Sequence, residues 1–317
     1  MAKRTVSDTF MFQLVTIVIG VLMYSGESTV NSMPDNFTLC TYNCRGHKDE
    51  TVMYIKQLLT QCDIILLQEH WLFESQLVNL EQQIGNAIVT GISSMDESEL
   101  LSGRPYGGCA LVHKRSAKLS VSPIECLPNS GRCQACELAV HTANGVTRTI
   151  LFNVYMPCDG EDVQAYTDIL AAIETVLMCN SEVSNVILAG DLNTDFTRAC
   201  SAHTRILRAF CEQYNLLPCI MSSVNSVDFT YVSDVTNNRS ALDHFIVSEN
   251  FLQCVRSYYS IKDGDNVSDH FPVILETCFK LLHNNCIDVQ PPDKQNWKGA
   301  SSDDLSCYKL RLKSELA

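Results

Sequence analysis

The chain has 317 residues, 46% hydrophobic and 19% charged, enough apolar material to close one large α/β core without metal or disulfide staples. Its formal charge of −13 excludes a protein that grips nucleic acid through overall positive charge. Such a grip needs either a bound cation or basic residues gathered on one face, for which Arg104, His113, Lys114, Arg115, Arg205, Arg208, Arg239 and Arg256 are the candidates, although solvated surface charge is their ordinary role.

The N-terminal segment, residues 1–35, carries Lys3 and Arg4 ahead of an uncharged run from Phe10 to Tyr24, with Gly26-Glu27-Ser28 offering a cleavage point. This reads as a secretory signal and is short for a spanning helix. Against it stands the sequon Asn266-Val267-Ser268, where a glycan would crowd a motif described below. Two placements stay open: the secretory pathway if the leader is real, the nucleus or cytoplasm if it is an accidental extension. The 16 cysteines are dispersed, often within apolar runs as at Cys40, Cys62, Cys109 and Cys278, and fit buried thiols in a reducing compartment. Cys133-Gln-Ala-Cys136 has metal-like spacing, but no second pair follows it.

Residues 36–280 form the expected domain, without repeats or a dividing linker. Phe37 to Tyr42 reads as a strand, and Asp49 to Gln61 as a helix with Val52, Ile55 and Leu59 on one face. Asp63 to Gln68 is a continuous apolar run, as in a strand buried on both faces. Further strands are expected at Ala87–Ser93, Cys109–His113, Leu119–Ile124, Cys136–Val140 and Thr149–Tyr155, the last two separated by the hairpin signal Ala143-Asn144-Gly145. Val163, Tyr166, Leu170, Ile173 and Leu177 make a helical stripe suited to core packing. Val186–Ala189, Leu242–Val247, Phe251–Tyr259 and Phe271–Phe279 complete the strands, so two β-layers covered by helices fit the order best. Residues 281–317, with Asn284-Asn285 and Pro291-Pro292, read as a linker and a polar tail.

Four strings end or begin these runs: Tyr42-Asn43, Gln68-Glu69, Gly190-Asp191-Leu192-Asn193 and Ser268-Asp269-His270. Each alone is ordinary, a turn or a helix cap. Together, and with Tyr155, Thr230 and Asp243 in order between them, they gather carboxylates, amides and an imidazole at one rim of a β-scaffold, the means to hold a hard cation beside a phosphodiester.

On these motifs, over about residues 36 to 279, the chain resembles the endonuclease/exonuclease/phosphatase family, and within it the endonucleases of LINE-type non-LTR retrotransposons. The resemblance implies a DNase I-like fold, a four-layered α/β sandwich of two mostly antiparallel sheets flanked by helices. It also implies a Mg²⁺ or Mn²⁺ cofactor held by Glu69, Asn43 and Asp269, and a monomer nicking double-stranded DNA. By the same likeness Asp191 and Asn193 lie at the attacking water, Tyr155 at the scissile phosphate, and Asp243 pairs with His270; Thr230, Ser268 and Arg104 are expected to contact substrate. Arg45 departs from the pattern, because abasic-site nucleases of the family usually carry a carboxylate there.

Each role has an ordinary counterpart. Glu69 could cap a helix, Tyr155 could be a strand-end aromatic, and Asp243 could pair with an arginine. His244 faces away from Asp243 in a regular strand, and His70, His113 and His203 suit surface or core positions better than ligation. The competing functions are an abasic-site repair nuclease, a phosphatase of the same scaffold, and a non-catalytic retroelement remnant that binds nucleic acid. The polar stretch Ser233–Ser240 lacks the Cys-Asp-Arg of the inositol phosphatases.

Overall fold

The computed structural model describes residues 36–279, except 100–102, 117, 127–130, 143–144, 159 and 161–162; the leader, the tail and the first two residues of the hairpin signal lie outside the described residues. The chain order is β1 (Asn36–Asn43), α1 (Asp49–Gln61), β2 (Ile64–Gln68), α2 (Leu77–Ile84), β3 (Ala87–Ile92), β4 (Cys109–Lys114), β5 (Leu119–Ile124), β6 (Cys133–Thr142), β7 (Gly145–Tyr155), α3 (Val163–Cys179), β8 (Val186–Asp191), α4 (Ala202–Gln213), β9 (Leu216–Pro218), β10 (Tyr231–Val232), β11 (Arg239–Ser240), β12 (Asp243–Ser248), α5 (Glu249–Leu252), β13 (Val255–Ser260) and β14 (Val273–Cys278).

Two six-stranded sheets result, ordered β13-β14-β1-β2-β4-β3 and β5-β6-β7-β8-β12-β9. Only β1/β2 and β7/β8 pair in parallel among these, each across a helical crossover, and the other neighbours are antiparallel. The period of two along each strand divides the apolar residues between layers. In β2, Ile64 and Leu66 enter the core between the sheets, while Ile65 and Leu67 pack outward with Val52, Ile55 and Leu58 of α1. In β8, Ile187 and Ala189 face inward, and Val186 and Leu188 pack against Ile169, Ile173 and Leu207 of α3 and α4. The layers are therefore helices, sheet, sheet, helices.

Three elements differ from the sequence expectation. Phe251, expected in a strand, lies in the short helix α5, where Ser248 adopts the extended N-cap conformation and the fully buried ring packs edge-on to Phe279 at 5.6 Å. Helix α2 buries Leu77, Leu80 and Ile84 at helical spacing. Helix α4 buries His203 and Thr204 beside Leu207, Phe210 and Cys211, so polar residues on its inward face hide its period; Ser201 caps it by accepting from the Thr204 N–H. The zinc-like pair is also ruled out. Cys133 packs on the helix-covered face of its sheet and Cys136 between the sheets, so the two thiols cannot share an ion.

Candidate active site

The strand register carries the motif residues to one end of the sandwich. Tyr155 of β7 stands beside Asp191 of β8, which stands beside Asp243 of β12. All three share the parity of the inward-facing residues Leu151, Ile187 and Phe245. In the facing sheet Asn43 ends β1 beside Gln68, with the same inward parity as Leu39 and Leu66. A buried polar clamp joins the two sheets below them: Gln68 Nε2 donates to Asn153 Oδ1 at 2.7 Å, and Asn153 Nδ2 donates to the carbonyls of Ala110 and Leu67. Arg45, Glu69, Trp71 and Asn193 all have φ between 46° and 58°, the left-handed region that side chains rarely adopt, and such strain concentrates at functional sites.

The centre is a buried line of three groups. His270 Nδ1 and Asp243 Oδ2 are 2.8 Å apart, and His270 Nε2 lies 3.9 Å from Asp191 Oδ2. Burial opposes charge on this imidazole, but the Asp243 and Asp191 carboxylates outweigh it and raise its pKa to about 10. Asp191 is pushed upward, by burial first and by Asp243, against the pull of His270 and the Asn43 amide. Asn193 donates its backbone N–H to Asp191 Oδ1 at 3.0 Å and its side-chain amide to the Met156 carbonyl at 2.8 Å. The Tyr155 phenol is held protonated, by burial and then by Glu69 and Asp191. Asp191, Asp243 and His270 each offer one ligand atom within 4.8 Å of the others, and the 2.8 Å contact of His270 Nδ1 with Asp243 Oδ2 already engages the imidazole with a carboxylate.

Glu69 borders a 270 Å³ cavity with Trp71, Arg104, Arg132 and Tyr155. Its carboxylate accepts from Asn43 Nδ2 at 2.9 Å and Trp71 Nε1 at 3.2 Å. Asn43 is not arranged as an oxygen ligand. Its NH₂ bridges Glu69 and Asp191, and its oxygen accepts the Arg45 backbone N–H, so its part is to orient two carboxylates. Asp269 is tied to Arg45, whose guanidinium lies 2.8 Å from it and 2.6 Å from Asp234. Of the carboxylates Glu69, Asp191, Asp243 and Asp269, Asp191 and Asp243 flank the His270 imidazole, Asp269 meets Arg45, and Glu69 shares its cavity with Arg104 and Arg132. The oxygen-rich site offers ligands of the kind a hard divalent cation takes, and Glu69 and Asp269 are the carboxylates that could hold one.

Two expected substrate contacts prove to be braces. Thr230 is fully buried and its hydroxyl accepts the backbone N–H groups of Leu242 and Asp243 at 2.9 and 3.0 Å. Ser268 donates to the Asn43 carbonyl at 2.8 Å and accepts from the His270 N–H at 3.2 Å. Arg104 does line the cavity beside Glu69. Asn266 donates its amide to the Ser268 and His270 carbonyls, the nitrogen that a glycan would need. Of the other basic candidates, Lys114 pairs with Asp63, Arg115 with Glu81, Arg208 donates to the Phe196 carbonyl, and Arg239 lies opposite Val232, whose N–H donates to the Asp269 carbonyl. His244 does face outward, bonding the Thr194 and Ala241 carbonyls. Arg132, absent from the sequence reading, stacks 4.8 Å above the Tyr155 ring and meets it only across strands, so it has no local sequence signal; Trp71, two residues after Glu69, donates to its carboxylate and was also absent from that reading.

The sequence profile of the endonuclease/exonuclease/phosphatase family matches residues 40–270, from β1 to His270. The chain belongs to this family. No curated protein sequence matches it. Among solved structures, the AP endonuclease LMAP of Leishmania major superposes with TM-score 0.60 at 15% identity, covering 77% of this chain and 88% of its own. The catalytic domain of Xenopus laevis APE2 gives 0.60 at 16%, covering 76% and 92%. The endonuclease domain of TRAS1, a telomere-specific non-LTR retrotransposon, gives 0.56 at 15%, covering 77% and 98%. At such identities the likeness is one of fold, and it agrees with the two helix-flanked sheets. The matched residues include Glu69, Asp191 and Asp243.

Proposed function

We propose that this family member is a divalent-cation-dependent endonuclease of the retroelement type that nicks double-stranded DNA. The observation that carries the reading is the line Asp191–His270–Asp243 set in register beside Tyr155 and bridged to Glu69 by Asn43. In its charged form Asp191 takes the proton of the attacking water, and Asn193 keeps that carboxylate aimed. His270, protonated at neutral pH, donates to a non-bridging phosphoryl oxygen, and the Tyr155 phenol supplies a second donor. Glu69 and Asp269 would hold the cation, which would supply charge neutralisation at the phosphoryl group and the departing 3′-oxygen.

Arg45 supports the retroelement reading over the repair reading. It places a cation against Asp269 where the abasic-site enzymes carry a carboxylate, and the loop from Val224 to Tyr231 has no Trp to receive an extruded sugar. Substrate choice then follows duplex deformability. On matched duplexes differing by one abasic site, cleavage should change little at that site and should vary with flanking sequence, most at pyrimidine–purine steps. Overwhelming cleavage at the abasic site, with intact DNA spared, would establish the repair reading instead.

A further inference from the structure

Cys126 and Cys133 bring their sulfurs to 3.4 Å from each other. The β5–β6 register explains why: the ladder ends with Ile124 facing Ala135, and extending it by two residues, forward on β5 and back on β6, sets Cys126 opposite Cys133. Facing residues of antiparallel strands have Cα atoms about 4.5–5.5 Å apart, inside the range of about 4.4–6.8 Å that a disulfide spans. The closure from the present separation to a bond of about 2.05 Å therefore needs side-chain rotation and no change of register. Both thiols line a 340 Å³ cavity with Thr90, Ile92 and Gln134, and both keep a small exposure, 8% and 5%. Cys126 is the more exposed of the two and is taken as the first nucleophile, with Cys133 beside it as the resolving thiol. Cys40 and Cys62 also interact, but both are fully buried.

We propose that Cys126 and Cys133 form a reversible thiol–disulfide site that exchanges with small disulfides of the glutathione type. The Cys126 thiolate attacks one sulfur of the disulfide, forming a mixed disulfide and releasing one thiolate. The Cys133 thiolate then attacks the Cys126 sulfur, closing the intrachain bond and releasing the second. The protein dithiol is oxidised and the small disulfide is reduced to two thiols. The bond lies next to Arg132, whose carbonyl accepts the Tyr155 N–H at 2.8 Å, so it fixes the strand start that supports Tyr155.

The test treats the full-length reduced protein with glutathione disulfide, traps remaining thiols by alkylation under denaturing conditions and maps peptides by mass spectrometry. The exposed Cys179 and Cys200 report that the oxidant has acted. Cys126 and Cys133 should be lost from alkylation together and appear as one linked peptide pair, reversed by dithiothreitol. In Cys133→Ser, Cys126 should stop at the mixed disulfide. Full alkylation of both residues when Cys179 and Cys200 have reacted, or a glutathione adduct on Cys126 of the unsubstituted protein that never resolves, would overturn the proposal. The wild-type mapping decides the matter even if the variant fails to fold.

Discussion

Asp191 and His270 approach within 3.9 Å and act on the same phosphoryl group in the account above, so their losses should overlap. Asp191→Asn and His270→Ala should each lower turnover by about a hundredfold or more while the fold persists, and the double variant should be far less than multiplicatively worse. Multiplicative losses in plasmid-nicking rates would show that the two act separately. Thr230 tests the support beneath them. Thr230→Val removes the acceptor of two backbone N–H groups, each costing about 1–3 kcal/mol when left buried and unpaired, and it loosens Asp243 and through it His270. The expected result is a reduced kcat with KM for duplex DNA little changed, restored by Thr230→Ser; a raised KM at constant kcat would return Thr230 to substrate contact. At this scale the sequence was legible in placement where a residue stands at its own strand end, as with Asp191, Asp243 and Glu69. It was misleading for Thr230 and Ser268, since a hydroxyl that braces backbone and one that meets substrate have the same letter, and it was silent on Arg132, whose partner Tyr155 is on the neighbouring strand.

The strand ends place these groups, and Gly190 shows how tightly. At φ 142° it passes so close to β7 that an added Cβ would sit 1.9 Å from the Val154 carbonyl oxygen. Backbone cannot yield there without breaking the parallel β7–β8 ladder that sets Asp191 beside Tyr155. Gly190→Ala should therefore destabilise the domain by more than about 4 kcal/mol, among the largest single-residue effects, as read from urea unfolding. A variant of native stability would mean that β8 is free to shift and that the register argument is wrong. Strands such as β2 and β8 were readable because a continuous apolar run buried on both faces has few other solutions. Helices α2 and α4 were not, because one is short and the other turns His203 and Thr204 inward; α5 was missed because Phe251 is as apolar as the strand residues around it.

For the whole molecule, the charge of −13 sets the electrostatic problem of approaching a polyanion. Lys114 and Arg115 are paired with acidic neighbours, and in the cleft Arg45, Arg104, Arg132 and the His270 imidazolium are balanced by Glu69, Asp191, Asp243 and Asp269, which leaves no excess of positive charge for a phosphodiester. The layered fold was legible from the alternation of apolar runs and turn residues, whereas the pairing of Arg45 with Asp269 depends on two loops 224 residues apart and could come only from the assembled structure. Cation dependence is consequently the claim on which the account turns. Its most direct measurement is the conversion of supercoiled plasmid to open circle by the purified protein with Mg²⁺, with Mn²⁺ and with excess chelator, and with Asp191→Asn as the control for contaminating nuclease. The account predicts nicking with either metal, none in chelator, recovery when Mg²⁺ is restored, and loss of about a hundredfold or more in the variant. Full nicking in chelator, or none with either metal under conditions where the protein is folded, would contradict it.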